Sequence, residues 1–245
     1  QPEKLKNPGF IDELKSLYAD VQVVVAFRML PEIVWNMPPL GTVNVHASLL
    51  PQYRGAAPIN WAVINGETET GVTIFKLQQE IDTGNILSLD KVPVSPHENV
   101  GEVHDKLMLA GANLLVATIR KMEAGTIEEI PQEKLETGTV LKSAPKLSKE
   151  TARIDWQQPV KKVYDHIRGL SPYPAAYTTF QDKTLKIYLA AMEEQEPGIQ
   201  PGAFLSDGKT FLKFACAGGF IKVKDVQLEG KKRMPVTDFL RGQHL

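Results

Sequence analysis

Asn44 and His46 stand two positions apart in the run TVNVHAS, residues 42 to 48, and Asp82 follows in EIDTGN. An amide can donate to a developing negative charge, and an imidazole and a carboxylate can exchange protons, so these three types suit acid–base chemistry at a polarised group. In a strand, alternate side chains share a face, so Asn44 and His46 point one way while Val43 and Val45 point the other. An unpaired polar group on a buried strand costs about 1–3 kcal/mol. The C-terminal ends of strands in open α/β sheets are also where ligands bind. A structural reading stays open from these residues alone: Asn44 bonding a nearby loop, His46 a satisfied imidazole, Asp82 a turn former or helix cap beside Gly84. Between the two stretches, SLLPQYRGAAP mixes a hydroxyl, prolines, an arginine and a glycine, which suits a binding loop better than a core connection.

The elements that must position these residues follow from hydrophobic spacing. Pro8 to Asp20 reads as a helix with Phe10, Ile11, Leu14 and Leu17 on one side, running into the apolar strand VQVVVAF at 21–27. With TVNVHAS next, a near-continuous apolar strand behind a helix predicts a parallel sheet covered on both faces. A short helix near Ile59 to Ile64, strands at 71–77 and 86–94, and a helix from about Val100 to Met122 continue an α/β domain over residues 1–135. The loop carrying Asp82, directly after the strand 71–77, is expected at the same sheet edge as the end of 42–48. Residues 126 to 150 lack an apolar period and read as a linker, placed at 136–150 between the domains. Beyond it, a helix around Val160 to Ile167 precedes AAYTTF, TLKIYLAAM, GAFLS, TFLKFACA and FIKVKDVQL, separated by Gly, Pro and Asp turns. So many short strands in so little chain predict a small OB-like barrel over residues 151–245. The sequence begins at Gln1 with a helix feeding a central-looking strand, and two βαβ units of about 30 residues each would complete such a sheet. Part of the first domain is therefore expected to lie outside this sequence.

Composition narrows the class. Residues 1 to 139 hold 11 Lys/Arg against 18 Asp/Glu, whereas residues 140 to 245 hold 17 against 11, so an acidic front meets a basic back suited to a polyanion. The single cysteine, Cys216, cannot close an internal disulfide, and no CxxC or HExxH spacing offers a metal site, which points to a reducing compartment. No apolar run approaches the 18 or so residues of a membrane span. His97, His104, His166 and His244 are read as surface or structural, and Trp35, Trp61 and Trp156 as packing groups.

The stretch NVHASLLPQYRGAAPI followed by GVTIFKLQQEIDTG strongly resembles the formyltransferase family that uses 10-formyltetrahydrofolate, whose signature joins an Asn-x-His pair, an SLLP loop and a later Asp. The resemblance implies a Rossmann-like first domain, a catalytic trio of Asn44, His46 and Asp82, and a folate and formyl-site loop of Ser48, Leu49, Leu50 and Pro51. The chemistry suits the residue types. As an amine attacks the formyl carbon, Asn44 can hydrogen-bond the oxyanion, a contribution of about 2.7–4 kcal/mol in comparable sites. His46 can stabilise the same charge or assist the leaving nitrogen. Asp82 can pair with His46 and accept the proton shed by the amine, directly or through water. Neither a metal nor a covalent intermediate is needed.

LSKETARIDW at 147–156, IRGLSPYPAAYT at 167–178 and PVTDFLRG at 235–242 resemble the OB-like carboxy-terminal domain of the methionyl-tRNA branch of that family. This implies 10-formyltetrahydrofolate as formyl donor, methionyl-initiator-tRNA as acceptor, and a cytoplasmic role in translation initiation, with a monomer as the simplest expectation. Lys222, Lys224, Lys231, Lys232 and Arg233 are the candidates for phosphate contacts, with a merely solvated strand face the alternative for the first two. A comparable domain occurs in a formyltetrahydrofolate hydrolase and in some sugar formyltransferases, so both remain alternatives. A third is a noncatalytic nucleic-acid-binding protein whose Rossmann-like half is a scaffold.

Overall fold

The computed structural model describes residues 2–26, 29–135, 138 and 140–242. In chain order the elements are α1 (Pro8–Lys15), β1 (Gln22–Val24), α2 (Glu32–Trp35), β2 (Thr42–His46), β3 (Arg54–Gly55), α3 (Pro58–Ile64), β4 (Glu69–Lys76), β5 (Ile86–Pro93), α4 (Val100–Glu123), β6 (Ser143–Ala144), α5 (Val160–Leu170), β7 (Ala176–Phe180), β8 (Lys183–Glu193), β9 (Phe204–Ser206), β10 (Leu212–Cys216), β11 (Gly219–Leu228), β12 (Met234–Pro235) and α6 (Val236–Arg241). They divide into two compact units: Gln1–Pro58 with Glu69–Pro93 and Lys106–Pro145, and Ile59–Thr68 with Val94–Asp105 and Lys146–Leu245.

In the first unit β1, β2, β4 and β5 form one sheet in that order. The parallel sheet expected from sequence is corrected here. Only β1 and β2 are parallel, whereas β4 runs antiparallel to both β2 and β5. The connections account for part of this: β1 reaches β2 through α2, and β4 and β5 are joined by a nine-residue loop too short for a crossover of a dozen or more residues. The central strands still carry an apolar core, with Val43, Val72, Ile74 and Phe75 almost fully buried. Gly111 of α4 lets the helix backbone approach β2 and β4, since a Cβ there would stand 3.3 Å from Val45 and 3.4 Å from Val72. Val45 thus faces α4, and Asn44 and His46 face the other way.

α1 is shorter than its apolar spacing suggests. Asn7 caps it by accepting from the Gly9 N–H at 2.9 Å, with Pro8 in the first turn. It stops at Lys15, and Leu17, expected on its apolar side, is exposed. The helix α4 matches its predicted span because both ends are specified locally. Asn99 Oδ1 accepts from the Gly101 and Glu102 N–H groups while Glu102 accepts from the Asn99 N–H, a reciprocal capping box. At the other end Gly125 is left-handed at φ 65° and Thr126 N–H reaches back to the Lys121 carbonyl at 3.0 Å.

The stretch read as a linker is structured at its start. Ile130 exchanges backbone hydrogen bonds with Ile86 at 2.8 and 2.9 Å, residues 132–134 form a 3-10 turn, and β6 pairs in parallel with β3.

The second unit contains the small all-β domain. β7, β8, β11, β10 and β9 form an antiparallel sheet in that order, and β12 adds to β11. The amphipathic α5 buries Val163, Ile167 and Leu170 in a core shared with Leu185, Ile187, Phe214 and Ile221. Trp156 stacks on Phe214 with ring centroids 4.8 Å apart and donates from its indole to Thr178 at 3.0 Å, a packing role as expected. Apolar spacing did not mark α6, yet it buries Val236, Phe239 and Leu240. His244, read as a surface residue, lies outside the described residues, as does Phe27 of the first predicted strand.

Candidate functional site

The site is built on β2. Asn44 and His46 are 4% and 6% exposed, and both project from the face opposite α4. The His46 ring stands edge-on to Phe75, which pairs with Asn44 across the β2–β4 ladder, so the wall beneath the imidazole is apolar. His46 Nε2 lies 3.0 Å from the Tyr53 carbonyl oxygen. A carbonyl only accepts, so Nε2 carries the proton, and in the neutral ring Nδ1 holds the lone pair. Nδ1 faces Asp82, with Oδ2 at 3.9 Å and the carboxylate 11% exposed. That gap is too long for a direct hydrogen bond. It is an ion pair when the imidazole is protonated.

Asp82 reaches this place by a return path. The antiparallel β4 ends beside the start of β2, where the Leu77 N–H donates to the Thr42 carbonyl at 2.8 Å. The loop after β4 therefore leaves from the end of β2 remote from His46, not from the same edge as expected. Four residues of strand, about 13 Å at some 3.3 Å each, separate the two ends, and the loop folds back across that span. Asp82 adopts a left-handed conformation at φ 54°, and its Oδ2 accepts the Gly55 N–H at 2.9 Å. Gly55, at φ 125°, has no room for a side chain, because a Cβ would stand 2.5 Å from the Ala144 carbonyl oxygen. Gly84 is equally constrained, its missing Cβ colliding with the Lys76 carbonyl.

The Asn44 carboxamide is different in kind. Its Oδ1 is buried without a hydrogen-bond partner. Rotation of the amide by a half-turn presents an N–H in the same position. A buried amide left open on the same strand face as the imidazole can bind a carbonyl oxygen that is gaining charge.

The loop Ser48 to Pro51 braces this face through itself. Ser48 Oγ donates to the Gln52 carbonyl at 2.6 Å, Thr73 Oγ1 donates to the Ser48 carbonyl at 2.7 Å and accepts from the Leu50 N–H at 3.1 Å. Leu50 is buried against Phe75 and Ile86, and Leu49 fills the space left by Gly71. The Ser48 hydroxyl is thus committed to the loop itself.

Sequence reasoning placed Tyr53, Arg54 and Gly55 in a binding loop without giving them roles and passed over Gln132; together these residues hold His46 and Asp82. Gln132 is a buried amide whose nitrogen donates to the Asp82 and Gly84 carbonyls, both at 2.9 Å, and whose oxygen accepts from Arg54. A polar residue 50 positions from Asp82, in a stretch without apolar period, gave no periodic signal. The Gly next to Arg54 was the one available clue.

Among the basic candidates of the second unit, Lys224, Lys231 and Lys232 are exposed. Lys222 lies 3.8 Å from Glu193, and the ordinary alternation of β11 leaves Lys222 and Lys224 outward with Val223 inward, ahead of a bulge around Asp225. Arg233 is engaged elsewhere: its guanidinium gives two hydrogen bonds to Asp225 at 2.6 and 2.8 Å and sits over the Tyr188 ring. His166 is half-buried, and desolvation pushes its ring toward the neutral form.

Comparison with known proteins bears on the family and the fold. The formyl transferase family model matches residues 1–119, and the model of the formyl transferase C-terminal domain matches residues 146–244. A methionyl-tRNA formyltransferase of Bacteroides fragilis is 53% identical over 250 residues, covering 100% of this chain and 77% of the relative. One from Flavobacterium johnsoniae is 47% identical, covering 99% and 77%. The chain thus spans about three quarters of the length of these relatives. Among solved structures, HypX from Aquifex aeolicus in complex with tetrahydrofolic acid superposes with a TM-score of 0.71 at 21% identity, over 96% of this chain and 42% of that one. A 4-N formyltransferase from Francisella tularensis gives 0.62 at 23% identity, over 77% and 76%. At these identities the structures speak to the fold.

Proposed function

The chain belongs to the formyltransferase family, and from that premise we propose how it acts as a methionyl-tRNA formyltransferase, moving a formyl group to the amino group of methionyl-initiator-tRNA for translation initiation. The donor in this reading is 10-formyltetrahydrofolate, a cosubstrate that supplies an electrophilic formyl carbon. The single observation that carries the residue roles is the open, buried carboxamide of Asn44 beside the His46 and Asp82 pair.

Asn44 acts on the formyl oxygen. Its amide N–H donates to that oxygen as charge builds, and because the side chain is already buried and unpaired, little reorganisation accompanies the step. His46 acts on protons. With Nε2 held by the Tyr53 carbonyl, the ring presents Nδ1, and a proton taken up there arises beside the Asp82 carboxylate, which holds the imidazolium so formed. Asp82 accepts the one proton shed by the attacking amine, directly or through water, and relays it to His46 Nδ1 beside it. The proton on His46 then serves the leaving nitrogen. The Ser48 to Pro51 loop shapes the wall of the site. Lys224, Lys231 and Lys232 are the second unit's contacts to the tRNA backbone, with Lys222 beside them. The setting is cytoplasmic, and no helix among the described residues is long and apolar enough to cross a membrane.

An acceptor assay tests this reading. The full-length protein and 10-formyltetrahydrofolate are offered charged initiator tRNA, an amino-sugar nucleotide or water alone. Formyl transfer to the tRNA at least about a hundredfold faster than to the others is the expected result. Formate release without transfer, or transfer to the sugar, would replace the proposed acceptor.

A further inference from the structure

Gln132 lies outside both matched family ranges, in the stretch between them, yet it is 2% exposed and uses every hydrogen-bonding position of a primary amide. Nε2 donates to the Asp82 and Gly84 carbonyls at 2.9 Å, and Oε1 accepts from Arg54 Nε at 3.1 Å and Nη2 at 2.5 Å. One side chain therefore fixes the surroundings of the Asp82 carboxylate from two directions. It holds the main chain of the loop that bears Asp82, and it holds the residue before Gly55, whose N–H binds Asp82 Oδ2. The neighbours of Gln132 grip the ends of the same loop. Glu129 accepts hydrogen bonds from Lys76 and Asn85, which hold its carboxyl below the usual range, and Ile130 pairs with Ile86.

Such a clamp answers a specific need. The left-handed region is uncommon outside glycine, although aspartate enters it more readily than most residues, and such conformations persist where the surroundings fix them. Asp82 has that conformation in a loop that leaves the remote end of β2 and must come back to His46. Without the Gln132 amide, the Asp82 and Gly84 carbonyls lose these buried donors, and the loop's favoured state is one in which they reach water.

We propose that Gln132 is a positioning residue for formyl transfer, fixing the Asp82 carboxylate against His46 through the main chain of residues 82–84 and through Arg54 and Gly55. The inference rests on the reading of Asp82 as a participant in the transfer. Its role is confined to placing that carboxylate, so its effect on turnover disappears when the carboxylate is absent.

The test is a double-mutant cycle in the full-length protein, with thermal unfolding, kcat, and KM for formyl donor and charged tRNA measured for each variant. Gln132→Glu keeps acceptors for Arg54, and so keeps half of the clamp and the fold, but has no N–H for the loop carbonyls. Gln132→Met fills the same volume and loses both halves. Each is expected to lower kcat about 10- to 100-fold, as displacement of a reacting group by roughly 1 Å does, with each KM changed less than about threefold. In an Asp82→Ala background, measured in single turnover, the same substitutions should cost less than about twofold. Equal losses with and without Asp82 mean a general structural role and overturn the assignment. A slow Asp82→Ala enzyme alongside wild-type kcat in Gln132→Glu overturns the Gln132 inference alone. Wild-type turnover in Asp82→Ala overturns the reading of Asp82, and this inference with it.

Discussion

Replacing Asn44 by alanine should separate activity from stability. Among the described residues its side chain makes no hydrogen bond, and Oδ1 is buried without a partner, a state that costs the folded protein about 1–3 kcal/mol. Alanine removes that cost along with three heavy atoms of packing, and the two changes oppose one another. The net effect on unfolding is expected to stay within about 1 kcal/mol, a shift in Tm of no more than about 4 °C for a chain of this size. Turnover should fall far more. If the amide donates to the oxygen that gains charge, its loss costs about 2.7–4 kcal/mol of transition-state stabilisation, or 10²- to 10³-fold in kcat. The affinity for formyl donor should change little, because that charge is absent from the ground state. Steady-state kinetics with charged initiator tRNA and thermal unfolding of the same preparation measure both quantities. A variant within tenfold of wild-type kcat, or one destabilised by more than about 3 kcal/mol, would show that Asn44 is a structural amide.

Cys216 is buried, donates weakly to the Gly219 carbonyl, and has its thiol pushed up to about 11 by desolvation, so iodoacetamide at neutral pH should label it only after unfolding; rapid labelling of the folded protein would contradict that burial. The His166 ring is held neutral by burial, so its folded pKa lies below the unfolded value of about 6.5. Its contribution to stability is present above the unfolded value and lost as pH falls through the folded one, because the unfolded chain then binds the extra proton. Urea unfolding between about pH 5 and 8 should show this slope in wild type and a shallower one in His166→Gln; identical slopes would refute it. For the basic second unit, Lys231→Ala with Lys232→Ala should raise KM for charged tRNA more than kcat falls, and lower the salt slope of tRNA affinity by roughly 0.7–0.9 per lost phosphate contact. Arg233→Ala should add less, since its guanidinium is already spent on Asp225 and Tyr188; an unchanged salt slope in the double variant would remove the cluster from the interface.

The sequence was most informative where chemistry and local pattern coincide. The Asn-x-His spacing on a strand placed two side chains on one face without any knowledge of neighbours, and β2 carries them so. The α4 helix was readable because its capping box and its terminal glycine are local signals. The direction of β4 was not, because near-continuous apolar strands look the same in parallel and antiparallel ladders, and the long β2–β4 connection through α3 permits either direction. That error carried over to the Asp82 loop, whose return path depends on strand direction. The stretch 126–150 failed for a related reason: its contribution is polar and point-like, through Glu129, Gln132 and the β6 pairing, so it lacks the apolar period by which packed segments are found. The phosphate candidates were chosen by charge, and charge alone could not reveal that the Arg233 guanidinium is paired with Asp225.

The central claim is that Asn44, His46 and Asp82 act as one device in moving a formyl group to charged initiator tRNA. Rapid-quench single turnover with 10-formyltetrahydrofolate and methionyl-initiator-tRNA, both saturating, measures the chemical step for His46→Ala, Asp82→Ala and the two combined. Each single variant is expected to slow formyl-methionyl-tRNA formation by at least about 10²-fold, and the combined variant should be scarcely slower than the worse single one, since groups that act as a unit are not additive. Wild-type rates in His46→Ala, or losses that multiply in the combined variant, would contradict the account.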